Sequence, residues 1–84
     1  MKNFHHQGRF VTFICKSFDY SAFRIEQRDT ERRELRLWED GRITRGAGAD
    51  TDPADVAALN AYLAAEQAEF QEWLDAHPEL KQYA

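Results

Sequence analysis

"AFRIEQRDTERRELRLWEDGRITR", residues 22–45, contains two segments in which apolar and charged side chains alternate. In residues 22–28 the alternation places Phe23 and Ile25 on one side and charged side chains on the other. Residues 34–40 repeat the pattern with two leucines on one side. Because a period of two residues is typical of a strand with one buried face, the stretch predicts two strands that pack against a core.

Two flanking segments extend this predicted sheet. Residues 9–16, RFVTFICK, are rich in β-branched and aromatic residues and predict an earlier strand. Asp40-Gly41 is a strong signal for a two-residue hairpin, after which residues 42–45 return as a short strand. The segments together predict an antiparallel meander of three to four strands.

A single long helix is predicted after the sheet. Asp52 suits the N-cap, Pro53 suits the first helical position, and Asp55 lies near the positive end of the helix dipole. Pro78 disfavours helical geometry at the residue before it, so the helix is predicted to span residues 53–77. Its predicted core stripe consists of Val56, Leu59, Leu63, Phe70 and Leu74.

These elements predict an α+β fold, in which the meander is followed by one long C-terminal helix packed on one face of the sheet. A chain of 84 residues corresponds to one small domain. The expected layout is an N-terminal segment 1–8, a β-meander 9–45, a linker 46–52, the helix 53–77 and a tail 78–84.

Trp38 raises the main functional question. The alternation places this large ring with Arg36 on the sheet face away from the helix, where Arg24 and Arg28 are also expected. Trp and Arg are enriched at binding hot spots, and aromatic rings stack on the bases of single-stranded nucleic acid. The patch is therefore either a partner-binding surface or a packing arrangement in which arginines cover the indole.

The charge is distributed unevenly along the chain. Residues 1–49 hold ten basic and seven acidic residues, whereas residues 50–84 hold one basic and eight acidic residues. No Lys or Arg occurs between Pro53 and Leu80. Such a helix either steers association with a basic partner or is an ordinary solvated face. The candidate contact residues on it are Glu69, Glu72, Trp73 and Asp75.

A third hypothesis is a homodimer joined through the helix. Small residues at helical spacing allow close packing of a second copy, although alanine is also the best helix former. Tyr62 and Trp73 flank this stripe. The stripe consists of Ala54, Ala57, Ala61, Ala64 and Ala68.

The sequence contains no convincing catalytic or metal-binding motif. Residues 50–55, DTDPAD, could begin a calcium loop with Asp50 as position 1. Such a loop requires glycine at position 6 and glutamate at position 12, but these positions are Asp55 and Ala61. His5 and His6 are adjacent and chelate poorly, and a site with His77 requires the two ends of the chain to meet. Cys15 lies in an apolar strand and is expected in the core. We therefore predict no catalytic residues, metal or cofactor, and a protein that is not an enzyme.

The remaining features favour a cytoplasmic location. No apolar run approaches the roughly 18–20 residues that span a bilayer, so no membrane association is expected. The first ten residues lack the apolar centre of a signal peptide. A single cysteine permits no internal disulfide, as is usual in a reducing compartment.

In size, acidity and order of elements, the chain is similar to many small phage-encoded proteins that bind and block host machinery, including anti-CRISPR proteins. This resemblance concerns the overall style and involves no shared residue pattern. It implies a non-enzymatic inhibitor that occupies a basic surface on a larger protein or complex, such as the nucleic-acid channel of a defence or transcription complex. The alternatives are a single-stranded nucleic-acid binder and a homodimeric structural subunit.

Overall fold

The computed structural model describes residues 4–28 and 32–83. Within this part of the chain the elements are β1 Phe4–His6, β2 Arg9–Lys16, β3 Tyr20–Gln27, β4 Arg33–Trp38, β5 Ile43–Arg45, α1 Pro53–Asp75 and a 3₁₀ helix Pro78–Tyr83. The strands form one antiparallel sheet in the order β1-β2-β3-β4-β5, and α1 packs against it. The predicted α+β fold is confirmed, with five strands in place of three to four.

The additional strand, β1, lies in the segment that was predicted to precede the sheet. Phe4 pairs with Val11, and a two-residue turn at Gln7 and Gly8 connects β1 to β2. Both turn residues have positive φ angles, 49° for Gln7 and 84° for Gly8, as a tight hairpin turn of the type I′ class requires. The three residues of β1 are too few to show the alternation typical of a strand, so the sequence pattern does not predict β1.

The paired residues define the inner face of the sheet, against which α1 packs. Val11 lies opposite Ile25, and Phe23 lies opposite Leu35. All four side chains are buried. Together with Ala58, Leu59 and Tyr62 of α1 they form the core, and the half-buried residues packed against it are Phe4, Leu37, Ile43 and Leu63.

A register shift near the end of β2 changes the position of Cys15. Phe13 pairs with Phe23, but the pairing then skips one residue, so that Cys15 lies opposite Ala22. An extra residue of this kind is a β-bulge and moves the following side chain to the other face. The expectation that Cys15 belongs to the core is therefore wrong, because its side chain is exposed.

The turn between β4 and β5 is longer than the predicted two-residue hairpin. The Trp38 amide donates to the Arg42 carbonyl oxygen at 2.9 Å, which leaves residues 39–41 as the connection. Gly41 supplies the positive φ of 91° that closes such a three-residue loop. Asp40-Gly41 thus marked the correct turn but not its length.

Local capping determines where α1 begins and ends. The Asp52 side chain accepts a hydrogen bond from the Ala54 amide at 2.9 Å, and Pro53 occupies the first helical position, as predicted. The helix ends at Asp75, two residues before the predicted boundary. Pro78 then begins the 3₁₀ helix in the region expected to be a tail.

The first half of α1 supplies the contacts with the sheet. Leu59 and Ala58 are fully buried, and Tyr62 is buried between the rings of Phe4 and Phe23, at centroid distances of 5.5 and 5.8 Å. Edge-to-face aromatic pairs at this distance are favourable. Tyr62 is therefore a core residue, although the sequence pattern placed it beside the predicted stripe.

Phe70 was predicted in the core, and this prediction is wrong because its side chain is 53 % exposed. The members of the core cluster on α1 fall between Ala58 and Leu63, whereas 23 helical residues span about 35 Å. The helix thus continues its periodic pattern beyond the sheet. Leu74 is buried nevertheless, in the region where α1 contacts the 3₁₀ helix.

Tyr62 makes the stability of the fold sensitive to alkaline pH. Burial, together with the hydrogen bond to Glu66 and the negative charge of that residue, raises the pKa of Tyr62 from 10.0 to about 12. The folded state therefore holds the phenol proton more tightly than the unfolded state does. This contribution is complete below pH 10 and is lost as the pH rises toward 12, so we expect the free energy of unfolding to fall by up to about 2–3 kcal/mol over that interval.

Urea denaturation of the wild type and of Tyr62→Phe at about pH 9 and about pH 11.5 tests this expectation. The loss attributable to residue 62 is the difference between the two proteins, because every other ionisable group is common to both. An equal loss in the two proteins would show that Tyr62 does not cause the alkaline effect.

Candidate binding surfaces

Trp38 lies at the centre of an aromatic and cationic cluster on the outer face of the sheet. We call Tyr20, Arg36, Trp38, Arg42 and Thr44 the sheet-face cluster. The ring centroids of Tyr20 and Trp38 are 4.9 Å apart, and the Arg36 guanidinium carbon lies 4.3 Å from the Tyr20 centroid. Arg42 lies 5.6 Å from the Trp38 centroid, and the Trp38 indole donates a hydrogen bond to Thr44 at 2.8 Å. The indole is half-buried by these neighbours.

The arginines on this face are paired with carboxylates two residues away on the same strand or turn. Side chains two residues apart in a strand share one face, so each pair forms within one element. The pairs and their N···O distances are Arg24–Glu26 at 2.9 Å, Arg36–Glu34 at 2.8 Å and Arg42–Asp40 at 2.7 Å. Arg28, the fourth predicted contact residue, is exposed just beyond the end of β3. The outer face is therefore nearly neutral around Trp38, and its rings are occupied by intramolecular cation–π contacts.

The sequence places Asp55 near the positive end of the helix dipole, and in the structure it is the one buried charged side chain among the described residues, at 1 % exposure. Arg9 Nε donates to its Oδ1 at 2.8 Å, and Arg33 donates to both carboxylate oxygens through Nε and Nη2. Asp52 lies 3.6 Å from Arg9. Strands β2 and β4 thus both contact the first turn of α1 through these arginines. Asp55 therefore has a structural role.

Opposing effects act on the Asp55 carboxyl. Burial raises its pKa, but the hydrogen bonds and positive charges of Arg33 and Arg9 outweigh burial, and the pKa lies below its ordinary value of 3.8. The same hydrogen bond raises the pKa of Arg33. The Asp55 carboxylate and the Arg33 guanidinium therefore remain ionised at neutral pH.

The second surface lies at the far end of α1, where the sheet-facing side of the helix continues past the sheet. Trp73 follows Asp55 by 18 residues, or about five turns, and so points to the same side. Phe70 and Trp73 are 53 % and 47 % exposed. Their rings are stacked at 6.2 Å, and His77 stacks on Trp73 at 4.3 Å.

Two carboxylates border these rings. Glu66, Glu69, Phe70 and Trp73 line one shallow groove, which we call the helix-end surface. The Tyr62 hydroxyl donates a hydrogen bond to Glu66 at 2.6 Å. Because Tyr62 is held in the core, it fixes the orientation of the Glu66 side chain at the start of the groove.

The structure separates the acidic residues that the sequence grouped together. Glu69 and Trp73 belong to the helix-end surface, whereas Glu72 and Asp75 lie about 100° and 160° away from Trp73 around the helix axis. Both are exposed, and the Gln71 amide donates to Asp75 at 3.3 Å. Sequence reasoning assigned Phe70 to the core instead of this surface, and only the extent of the sheet reveals its position.

The sheet-face cluster and the helix-end surface do not form one site. The cluster lies on the outer face of the sheet, and α1 packs against the inner face. Of the predicted contact residues, the structure brings Arg36 close to Trp38, with a guanidinium-to-ring distance of 5.9 Å, and places Glu69 beside Trp73. The two groups therefore form two separate surfaces.

Comparison of the chain with protein family models, curated proteins and solved structures finds no match. Among residues 4–28 and 32–83, no three His, Cys, Asp or Glu side chains are arranged to hold a metal ion. No helix in these same ranges has the length and apolar character needed to cross a membrane. A functional inference therefore rests on the geometry of the two surfaces.

Proposed function

We propose that this protein is a non-enzymatic binding module that docks on a basic surface of a larger protein or complex through the helix-end surface. The observation that carries the proposal is the exposure of two large aromatic rings, Phe70 and Trp73, on the continuation of the stripe that elsewhere packs on the sheet. A partner that covers these rings would complete the burial that the sheet provides for the first half of α1.

Apolar burial supplies the first part of the driving force. Fully burying a large apolar side chain contributes about 1.5–3 kcal/mol, and roughly half of that remains available at each of the two rings. Trp is also among the residues most enriched at hot spots. Phe70 and Trp73 together can therefore anchor an interface.

Electrostatic attraction supplies the second part. Glu66 and Glu69 border the rings, and α1 contains no Lys or Arg. The resulting negative field accelerates encounter with a positively charged surface and disfavours acidic partners. A nucleic-acid channel in a host complex has the required positive charge, and occupying it would block the channel.

The sheet-face cluster supports the nucleic-acid alternative less well. Phosphate binding requires available cationic groups, but Arg24, Arg36 and Arg42 are each paired with a carboxylate. Mobility-shift titration with single-stranded DNA at low salt distinguishes the alternatives. We expect no retardation at tens of micromolar, roughly where weak non-specific binding begins under physiological salt.

The homodimer alternative is also less favourable on charge. Residues 50–84 carry one basic and eight acidic residues, so two copies of α1 placed side by side repel each other. Light scattering at high protein concentration is expected to report a monomer.

The main experiment is affinity capture from a lysate of the organism in which the protein acts. A double variant, Phe70→Ser with Trp73→Ser, is expected to reduce the captured partner at least about tenfold, since two central aromatic anchors commonly supply 2 kcal/mol or more. Phe18→Ser is the matched control, because Phe18 is an exposed phenylalanine in the β2–β3 turn, away from α1.

Circular dichroism establishes that each bait is folded before capture. Retention of the same proteins by the wild type and both variants would refute docking through the helix-end surface. Loss of capture in the double variant, with retention by Phe18→Ser, would support it.

A further inference from the structure

The His77 side chain contacts the last turn of α1. In a regular helix the His77 amide donates to the Trp73 carbonyl oxygen, but here it donates to the Leu74 carbonyl oxygen at 3.0 Å. Nδ1 of the His77 ring donates to the Trp73 carbonyl oxygen instead, at 2.8 Å, a contact that histidine side chains near a helix C-terminus can make. Because a carbonyl oxygen only accepts, Nδ1 carries a proton in the neutral ring, and a further proton is added at Nε2.

The same imidazole is stacked on the helix-end surface. The ring centroids of His77 and Trp73 are 4.3 Å apart, with an angle of 26° between the ring planes. Phe70 stacks on Trp73 at 6.2 Å. The three rings therefore form one stack, and a charge gained by the imidazole lies directly against the Trp73 indole.

The ionisable groups of the two elements that His77 connects are mostly carboxylates. On the C-terminal half of α1 they are Glu66, Glu69, Glu72 and Asp75, and on the 3₁₀ helix they are Glu79 and Lys81. A proton at Nε2 adds a positive charge to this negative region. The added charge opposes the attraction between the helix-end surface and a basic partner.

We infer that the helix-end surface is pH-sensitive and that protonation of His77 weakens its docking on a basic surface. This inference rests on the proposed function and specifies the regulation of that site. Histidine side chains commonly gain a proton between pH 8 and pH 5. One added charge at an exposed surface changes affinity roughly two- to fivefold, so docking is tighter near pH 8 than near pH 5.5.

NMR of the ¹⁵N-labelled protein tests the ring contact without any partner. Long-range ¹⁵N–¹H spectra at about pH 8 are expected to show the His77 proton on Nδ1. As the pH falls to about 5.5, the Trp73 indole resonance is expected to shift in step with the His77 ring resonances. The Trp38 indole, on the outer face of the sheet, is expected to stay unchanged.

Two histidine variants separate this contact from general effects of pH. His77→Gln is expected to abolish the shift of the Trp73 indole. His5→Gln is the matched control, because His5 is an exposed imidazole that contacts another ring, Phe10, at 4.8 Å on the sheet. It is expected to leave the Trp73 shift intact, and circular dichroism establishes that both variants are folded.

A cationic probe tests the effect on binding. Hexa-lysine blocked at both termini carries the same charge at the two pH values, and its affinity for the wild type is expected to fall roughly two- to fivefold from about pH 8 to about pH 5.5. His77→Gln is expected to lose most of this dependence, and His5→Gln is expected to retain it.

Three results would each overturn the inference: a His77 proton on Nε2 at about pH 8, a Trp73 shift that persists in His77→Gln, or equal pH dependence of hexa-lysine binding in the two variants. The outcome is separable from the capture experiment. Capture that depends on Phe70 and Trp73, combined with a Trp73 resonance that does not follow His77, would refute only the pH dependence. A His77-dependent response without a captured partner would refute only the docking.

Discussion

Replacing Asp55 by alanine is expected to lower the free energy of unfolding by about 3–5 kcal/mol, because breaking a buried ion pair leaves its partner charges uncompensated. Here two guanidiniums lose their common acceptor, and the side chains of Arg9 and Arg33 are only 14 % and 20 % exposed. A domain of this size has a total stability on the order of 5–10 kcal/mol. The variant is therefore expected to be close to unfolding at room temperature.

Asp52→Ala is the control, since it removes an aspartate three residues away in the same first turn. Asp52 is the N-cap and is more exposed than Asp55. Its loss is therefore expected to lower the free energy of unfolding by only about 1 kcal/mol. Urea denaturation followed by circular dichroism measures both values. Similar costs for the two variants would mean that Asp55 acts only through helix capping and that the contacts with β2 and β4 add little.

Replacing Leu59 by alanine is expected to cost about 2–5 kcal/mol, because a large side chain is removed from a close-packed core and leaves a cavity. Leu59 is fully buried and belongs to the same cluster as Ile25 and Leu35. Few other residues of α1 contact the sheet as completely, so the loss falls on the interface that attaches the helix.

Phe70→Ala is the informative comparison, since the sequence pattern assigns Phe70 and Leu59 to one stripe. Surface substitutions usually change stability by less than about 0.5 kcal/mol, and the half-exposed ring at Phe70 is expected to cost less than about 1 kcal/mol. Thermal and urea denaturation of both variants provide the measurement. A Phe70→Ala cost comparable with that of Leu59→Ala would show that Phe70 is buried in the native protein.

The parts of the fold that follow from local patterns were predictable. The alternation around Phe23 and Leu35 identified two central strands and their inner face, and the sequence Asp52-Pro53 identified the start of α1. Each signal depends on residues within a few positions of one another. The α+β class follows because the strands and the helix identified in this way each have one apolar face, and these faces pack against one another.

The remaining features depend on contacts between distant parts of the chain. Helical spacing predicts which side Phe70 occupies, but only the width of the sheet determines whether that side is covered. Asp55 resembles an ordinary acidic residue of a first turn, because the two arginines that bury it are 46 and 22 residues away. The register shift that exposes Cys15 likewise depends on its pairing with β3.

The same limit applies to the candidate site. Residue type and charge identify Trp73 and Glu69 as contact candidates but do not distinguish them from Glu72, which only the placement of the helix on the sheet separates from this surface. The alternation in β4 leaves the role of Trp38 open between binding and packing, and it gives no indication of the neighbouring Tyr20. The contacts with Tyr20 and Thr44 require the cross-strand pairing of β3, β4 and β5, which alternation within one strand does not specify.

The ion pairs that attach Asp55 to β2 and β4 also affect the C-terminal end of α1. Arg9 of β2 and Arg33 of β4 both bind the Asp55 carboxylate. These contacts oppose rotation of α1 about its axis and translation of α1 along the sheet. Trp73 lies about 27 Å further along the same helix. Its position relative to the sheet is therefore set by the orientation of α1. For the proposed docking, a helix end held in one orientation leaves little conformational entropy to lose on binding, so a substitution that weakens the Asp55 contacts is expected to weaken that docking although it changes no residue of the helix-end surface.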